Sequence, residues 1–424
     1  MNQPRNAGRN AGLPPGVAAR QAALRLLDAV LRRGETIEQA AGRALASIRA
    51  DNDRALARAI AAEVLRHLPD LDALIDSATR TRLPDDAKAR FALRIALAQM
   101  LALGTPGHAA IATVLPLVDG GPRKLVHGVF GTLSRRGVAL RDPPTLPAAT
   151  AERWAAQWGE EMVAAAARAM ATPPPLDLTL RGESGPEGLA LLPGHRRLPR
   201  GTAIPALPGY DEGAWWVQDI AASIPARLLG PGNGTAIDAC AAPGGKTMQL
   251  ATAGWDVTAI DVAESRLARL RDNLDRTGLT AGIVAGDATR WSPPAPVDAV
   301  LIDAPCSATG IFRRHPDVIH RVHPALIEQM SDLQHHLLAH AAGWLGKGGR
   351  MVYATCSLER AEGEEQVEAF LSANRDFAID PVRSDELPAG IAPTAEGWVR
   401  ILPGALEEAG GCDGFFIARF ARAG

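Results

Sequence analysis

Residues 235–247 read Thr-Ala-Ile-Asp-Ala-Cys-Ala-Ala-Pro-Gly-Gly-Lys-Thr, a short β-rich run that breaks into a glycine turn and then opens a helix. A strand, a glycine turn and a helix in that order predict the start of a doubly wound sheet, where ligands sit beyond the carboxyl ends of the strands. Outward from this stretch, further β-rich runs recur at Val257–Asp261, Ile283–Gly286, Ala299–Asp303 and Met351–Ala354, with helical stretches at Glu264–Thr277 and Pro324–Leu345. Strands alternating with crossover helices imply a parallel, Rossmann-like α/β sheet. A final apolar run, Phe415–Phe420, is expected to add an edge strand.

The turn itself narrows the ligand. A phosphate-binding loop requires glycine five residues before Gly245, and Cys240 stands there; a dinucleotide fingerprint requires a glycine spacing this turn lacks. An adenosine-bearing cofactor without a pyrophosphate fits better. Asp261 ends the second run, roughly 20 residues on, where a carboxylate can accept from both ribose hydroxyls. Asp287 follows the third run and is placed to meet an adenine amino group.

Two cysteines stand in the turns after the next two strands, in Asp303-Ala-Pro-Cys306-Ser-Ala-Thr-Gly310 and in Ala354-Thr-Cys356-Ser-Leu358. One such cysteine alone reads as a small buried hydrophobe. Two at adjacent parallel strand ends converge on one edge of the sheet, which suits chemistry on a pyrimidine ring. Carbon 5 of cytosine is a poor nucleophile until a thiolate adds to carbon 6 and makes an enamine-like ring. Asp303 is placed to hydrogen-bond the ring's amidine edge as charge develops. Spacing alone does not say which cysteine attacks. Cys240 and Cys412 are assigned to packing and to a C-terminal loop.

At this point the chain resembles the RNA 5-methylcytosine methyltransferases. DACAAPGGKT, DAPCSATG, RRHPD and YATCS match that family's cofactor, first-cysteine, following-loop and second-cysteine motifs, within a likeness running from Trp216-Val-Gln-Asp219 to Asp413-Gly-Phe-Phe416. The resemblance implies a class I S-adenosylmethionine-dependent methyltransferase domain. It implies Cys356 as nucleophile, Cys306 as the residue that assists product release, and Asp303 as a third catalytic group. Cofactor contacts are implied for Cys240, Ala241, Ala242, Pro243, Gly244, Gly245, Lys246, Asp261, Asp287 and Asp303.

The amino-terminal third has a different texture. Apolar residues recur at helical spacing in Val17–Arg33, Leu56–Leu68 and Ala87–Leu103, the last helix spans Lys124–Arg136, and a proline-rich stretch follows at Asp142–Pro147. Residues 1–141 carry 21 Lys+Arg against 12 Asp+Glu, whereas the remainder is acidic, so the net charge of −2 conceals a basic module. A polyanion is the expected partner of that module. Residues 17–136 are similar to the NusB-like RNA-binding domain of the Sun/Fmu (RsmB-like) subgroup, which implies a cytosine of 16S small-subunit rRNA as substrate. Transfer RNA is the alternative. The subgroup's asparagine motif near Leu125–Leu133 has His127 in its place here.

The expected organisation is a disordered tail over 1–15, an all-helical NusB-like domain over 16–141, a linker with a small mixed subdomain over 142–213 and the methyltransferase domain over 214–424. In that mixed region Glu152–Met170 reads as one helix. Arg313, Arg314 and His315, just after Cys306, are candidate contacts to RNA phosphates. His335, His336 and His340 lack the glutamate of a metalloprotease motif, and no metal is expected. Trp215 and Trp216 are placed to stack on a base, with core packing the expected role of at least one. Four scattered cysteines, no apolar run of spanning length and a polar amino terminus point to a cytoplasmic protein rather than a membrane or disulfide-rich one, and the lack of a strong self-association stripe points to a monomer.

Overall fold

The computed structural model describes residues 16–171 and 173–424, so the reading of residues 1–15 as a tail lies outside the described residues. The chain divides into two compact units: residues 1–150 with His315–Arg321, and Ala151–Arg314 with Val322–Gly424.

The first unit is helical. Its helices are Val17–Arg33, Ile37–Ala44, Asp51–Arg66, Leu68–Ser77, Lys88–Leu101, Gly107–Val114 and Gly120–Arg135. The spacing that predicts the first helix also buries Ala22, Leu26, Ala29 and Val30 on one face. Gly34 then ends the helix in the left-handed conformation, φ 67°. The stretch read as one helix over Leu56–Leu68 is two, because His67 leaves helical geometry and Pro69 starts the next segment.

Lys88–Leu101 runs through the core and buries even its arginines. Arg90 is fully buried and pairs with Asp76, while Arg94 grips Asp72 at 2.8 Å through two nitrogens. With Arg20 and Arg66 also buried, part of the positive charge counted in the sequence serves internal ion pairs and hydrogen bonds. The seven residues His315–Arg321 pack in this unit. Ile319 O accepts from Thr150 Oγ1 at 3.1 Å, and His320 Nε2 meets Leu65 O at 2.6 Å.

The second unit begins at Ala151, within the helix Ala148–Trp158, and continues with Glu160–Ala171. Glu152–Met170 is therefore not one helix: Gly159 at φ 84° breaks it. A small antiparallel sheet follows, in the order β2 (His195–Leu198), β1 (Leu176–Leu180), β3 (Trp215–Val217). Trp215 and Trp216 both lie buried in β3. Their indole nitrogens bond Pro208 O and Gln218 Oε1, so packing accounts for both and base stacking for neither.

The main sheet contains β4 (Thr235–Ala239), β5 (Asp256–Asp261), β6 (Gly282–Ala285), β7 (Val297–Asp303), β8 (Leu345–Thr355), β9 (Phe377–Ile379), β10 (Val399–Ile401) and β11 (Phe415–Arg422). The order is β10-β11-β8-β7-β4-β5-β6, with β9 also paired to β11. Strands β4 to β8 pair in parallel, and β11 closes onto β8 antiparallel. This is the Rossmann-like arrangement that the alternation in the sequence predicts. The central strands are nearly all apolar and buried on both faces, as a helix-covered parallel sheet requires. Their carboxyl ends share one edge, with β4 lying between β5 and β7. Among the described residues, no helix is long and apolar enough to cross a membrane.

Candidate active site

The register of β7 on β8 pairs Asp303 with Ala354, so both turns that follow leave the sheet together. Ala304 N donates to Ala354 O at 2.9 Å and Gly310 N to Cys356 O at 2.9 Å, which lashes one turn to the other. Gly310 is required here. A Cβ at this position would stand 2.1 Å from Gly414 O and 2.9 Å from Cys356 O. The outcome is that Cys306 Sγ and Cys356 Sγ, 50 positions apart in sequence, lie 3.5 Å apart. The hydrogen bond to Cys356, burial and the nearby Glu362 charge hold the Cys306 thiol well above its ordinary pKa. Cys306 therefore keeps its proton at neutral pH and can donate it toward the neighbouring sulfur.

On the adjoining strand, the glycine turn begins with Cys240 at φ 63° and Gly244 at φ 105°. The helix Gly245–Thr252 follows, with Lys246 buried in its first turn and close enough to Cys356 to interact with its charge. Lys246 Nζ donates to Asp303 Oδ2 at 2.7 Å. Burial works against the Lys246 charge, but Asp303, Asp238 and Cys356 outweigh it and raise its pKa. Asp303 retains a half-buried carboxylate (side chain 34% exposed) for a further donor. Behind the turn, Asp238 accepts from Thr247 Oγ1 at 2.6 Å, and burial pushes its carboxyl up to about 7.

A cavity of about 260 Å³ opens beside the turn, lined by Cys240, Asp261, Val262, Asp287 and Pro305 among others. That volume is near the roughly 300 Å³ at which ligand pockets begin. Asp261 is buried, and each of its carboxylate oxygens already holds one backbone donor. Ala242 N reaches Oδ2 at 3.1 Å and Ala263 N reaches Oδ1 at 3.0 Å. Oδ2 also lies 3.4 Å from Arg266 Nη1, while Oδ1 keeps a lone pair for a hydroxyl of a vicinal diol. Val262, 76% exposed, offers an apolar rim for a ring. Asp287 also lines the cavity, its pKa lowered by the Thr289 hydroxyl and amide. These residues fit a nucleoside-bearing cofactor. Cys240 also lines the cavity, and burial pushes its thiol up to about 12, so it lines the site without reacting in it.

The basic triplet after Cys306 is placed differently from the sequence expectation. Arg313 is buried and donates to Gly410 O. Arg314 is gripped by Asp413 and lies 3.7 Å from Asp219, with only part of its guanidinium facing outward. His315 lies 3.3 Å from Glu38 in the helical unit. His336 and His340 are occupied by the Asp332 and Trp291 carbonyls at 2.7 and 2.8 Å. The residue missed entirely is Glu362. It lies fully buried beneath both cysteine turns, and only the folded chain brings it there.

A family model described as 16S rRNA methyltransferase RsmB/F matches residues 226–421, and one described as NusB family matches residues 17–129. The chain is 35% identical over 96% of its length, and 98% of the relative's, to the ribosomal RNA small subunit methyltransferase B of Xylella fastidiosa. It is 34% identical to that of Klebsiella pneumoniae over 88% and 91% of the two chains. Among solved structures it is similar in fold to PH0851 (TM-score 0.72, 21% identity, 97% and 100% covered). A further likeness is to NSun6 from Pyrococcus horikoshii with SFG (TM-score 0.55, 17% identity, 66% and 98% covered).

Proposed function

Since the chain belongs to the 16S rRNA methyltransferase RsmB/F family, we propose that it methylates carbon 5 of a cytosine in 16S rRNA through a covalent cysteine–cytosine intermediate. The methyl donor is S-adenosylmethionine, which supplies an electrophilic methyl group when it lies along Asp261, Asp287 and the glycine turn. The observation that carries this reading is the 3.5 Å separation of the Cys306 and Cys356 sulfurs beside the Lys246–Asp303 pair.

Cys356, as thiolate, adds to carbon 6 and moves electron density onto carbon 5. Asp303 accepts from the exocyclic amine and from N3, which takes a proton from water as addition drives charge onto it and gives that proton back when the ring is restored. After carbon 5 is alkylated, its proton leaves to water, and the returning electron pair expels the Cys356 sulfur. Cys306 holds its proton and donates a hydrogen bond to the departing thiolate, making it a better leaving group. This division of labour suits a thiol that burial and its neighbours keep protonated.

The helical unit supplies the basic surface for a polyanion. On helix Gly120–Arg135 the side chains of Arg123, Lys124, His127 and Arg135 are exposed. The test is to supply purified 16S rRNA and, separately, bulk tRNA with methyl-labelled cofactor and to digest each to nucleosides. Labelled 5-methylcytidine from 16S rRNA is expected. Label in tRNA alone, or in any other nucleoside, would overturn the proposal.

A further inference from the structure

Two serines, Ser307 and Ser357, immediately follow the two cysteines, and both are buried. One carboxylate receives them. Glu362 Oε1 accepts from Ser307 N at 2.7 Å and from Gln334 Nε2 at 3.2 Å, while Oε2 accepts from the hydroxyls of both Ser307 and Ser357. The serine hydroxyls also meet each other at 3.2 Å, and Thr309 Oγ1 joins Ser357 Oγ at 3.3 Å. Glu362 is itself pinned, since its own carbonyl accepts from Tyr353 OH at 2.9 Å and from Thr355 Oγ1 at 3.2 Å.

We propose that Glu362 is a positioning residue whose carboxylate clamps Ser307 to Ser357 and thereby holds the Cys306 sulfur against the Cys356 sulfur. The inference rests on the two-cysteine reading of the site above. A carboxylate that only accepts can satisfy four converging donors at once, and hydrogen bonds to a charged acceptor are about twice as strong as neutral ones. Burial raises the Glu362 pKa and the four donors oppose it. Without the clamp, the turns keep the backbone bonds from Ala304 and Gly310 named above, neither of which fixes a cysteine side chain.

The test reads sulfur geometry without RNA. Diamide, a thiol oxidant, takes two electrons and two protons from Cys306 and Cys356 as the disulfide forms, and the linked peptides are timed by mass spectrometry. Bond formation requires the sulfurs to close to about 2 Å, so E362A is expected to form the disulfide at least about tenfold more slowly. E362Q keeps one acceptor oxygen and is expected to recover part of the rate. In turnover assays E362A is expected to lose about 100-fold in kcat, the scale of a misplaced catalytic group. The KM for S-adenosylmethionine is expected to hold, and E362Q to restore part of kcat. Should E362A fail to fold, E362Q and S357A carry the same comparison. Wild-type disulfide rates in E362Q and S357A overturn the clamp. Full turnover by C306A would instead sink the two-cysteine reading, which the disulfide rates do not depend on.

Discussion

Replacing Asp261 with alanine removes a carboxylate that lines the cavity proposed for the cofactor. Each of its oxygens is held in place by one backbone amide, from Ala242 and from Ala263, and Oδ2 also lies 3.4 Å from Arg266 Nη1, which a second ribose hydroxyl would displace. Hydrogen bonds to a charged group are worth about 1.5–3 kcal/mol each, so two amount to about 3–6 kcal/mol of binding. At about 1.4 kcal/mol per tenfold, D261A should bind S-adenosylmethionine at least about 100-fold more weakly. The lower end is the firmer figure, because water entering the vacated space replaces part of what the two amides lose. Calorimetric titration of the free protein measures this directly, with a thermal melt to verify folding and C356A as a variant that keeps the cavity intact. Affinity of D261A within threefold of wild type would refute the assignment of this cavity to the cofactor.

Three further outcomes follow from particular contacts. G310A places a methyl group against Gly414 O and Cys356 O, and overpacking of this kind should lower stability by about 1–3 kcal/mol in a denaturant titration. Asp177 is buried; although burial itself raises its pKa, the Arg197 and His195 partners win and hold it at about 2. A depressed carboxyl contributes stability above its unfolded pKa and loses it as pH falls, here about 2 kcal/mol given up between roughly pH 5 and 2. The deficit of D177N relative to wild type should therefore shrink as unfolding is measured from pH 6 down to pH 3. With iodoacetamide at pH 8, Cys240 and Cys412, both raised by burial, should resist alkylation in the folded protein while Cys356 labels, as peptide mass spectrometry would show.

Much of the α/β unit was legible because its signals are local. Five β-rich runs separated by crossover segments give the parallel sheet, and residues 235–247 contain the turn that borders the cavity at the strand ends. The convergence of Cys306 and Cys356 was also within reach, since adjacent parallel strands bring their following turns together. Glu362 was not. In the sequence it stands in Glu359-Arg-Ala-Glu-Gly-Glu-Glu365, an acidic run indistinguishable from a solvated face, and only the meeting of residues 307 and 357 gives it a role. The charge count misled for a related reason. Arg90, Arg94 and Arg313 read as available cations, yet tertiary contacts bury them. The helix breaks at His67 and Gly159 depend on single backbone positions that apolar spacing does not report.

In the proposed function Cys356 attacks and Cys306 releases. Incubating wild-type, C356A and C306A protein with 16S rRNA and S-adenosylmethionine, then denaturing and resolving the products, tests that order directly. A denaturation-resistant protein–RNA adduct should accumulate with C306A and never form with C356A. An adduct that builds up in C356A and is missing from C306A would contradict it.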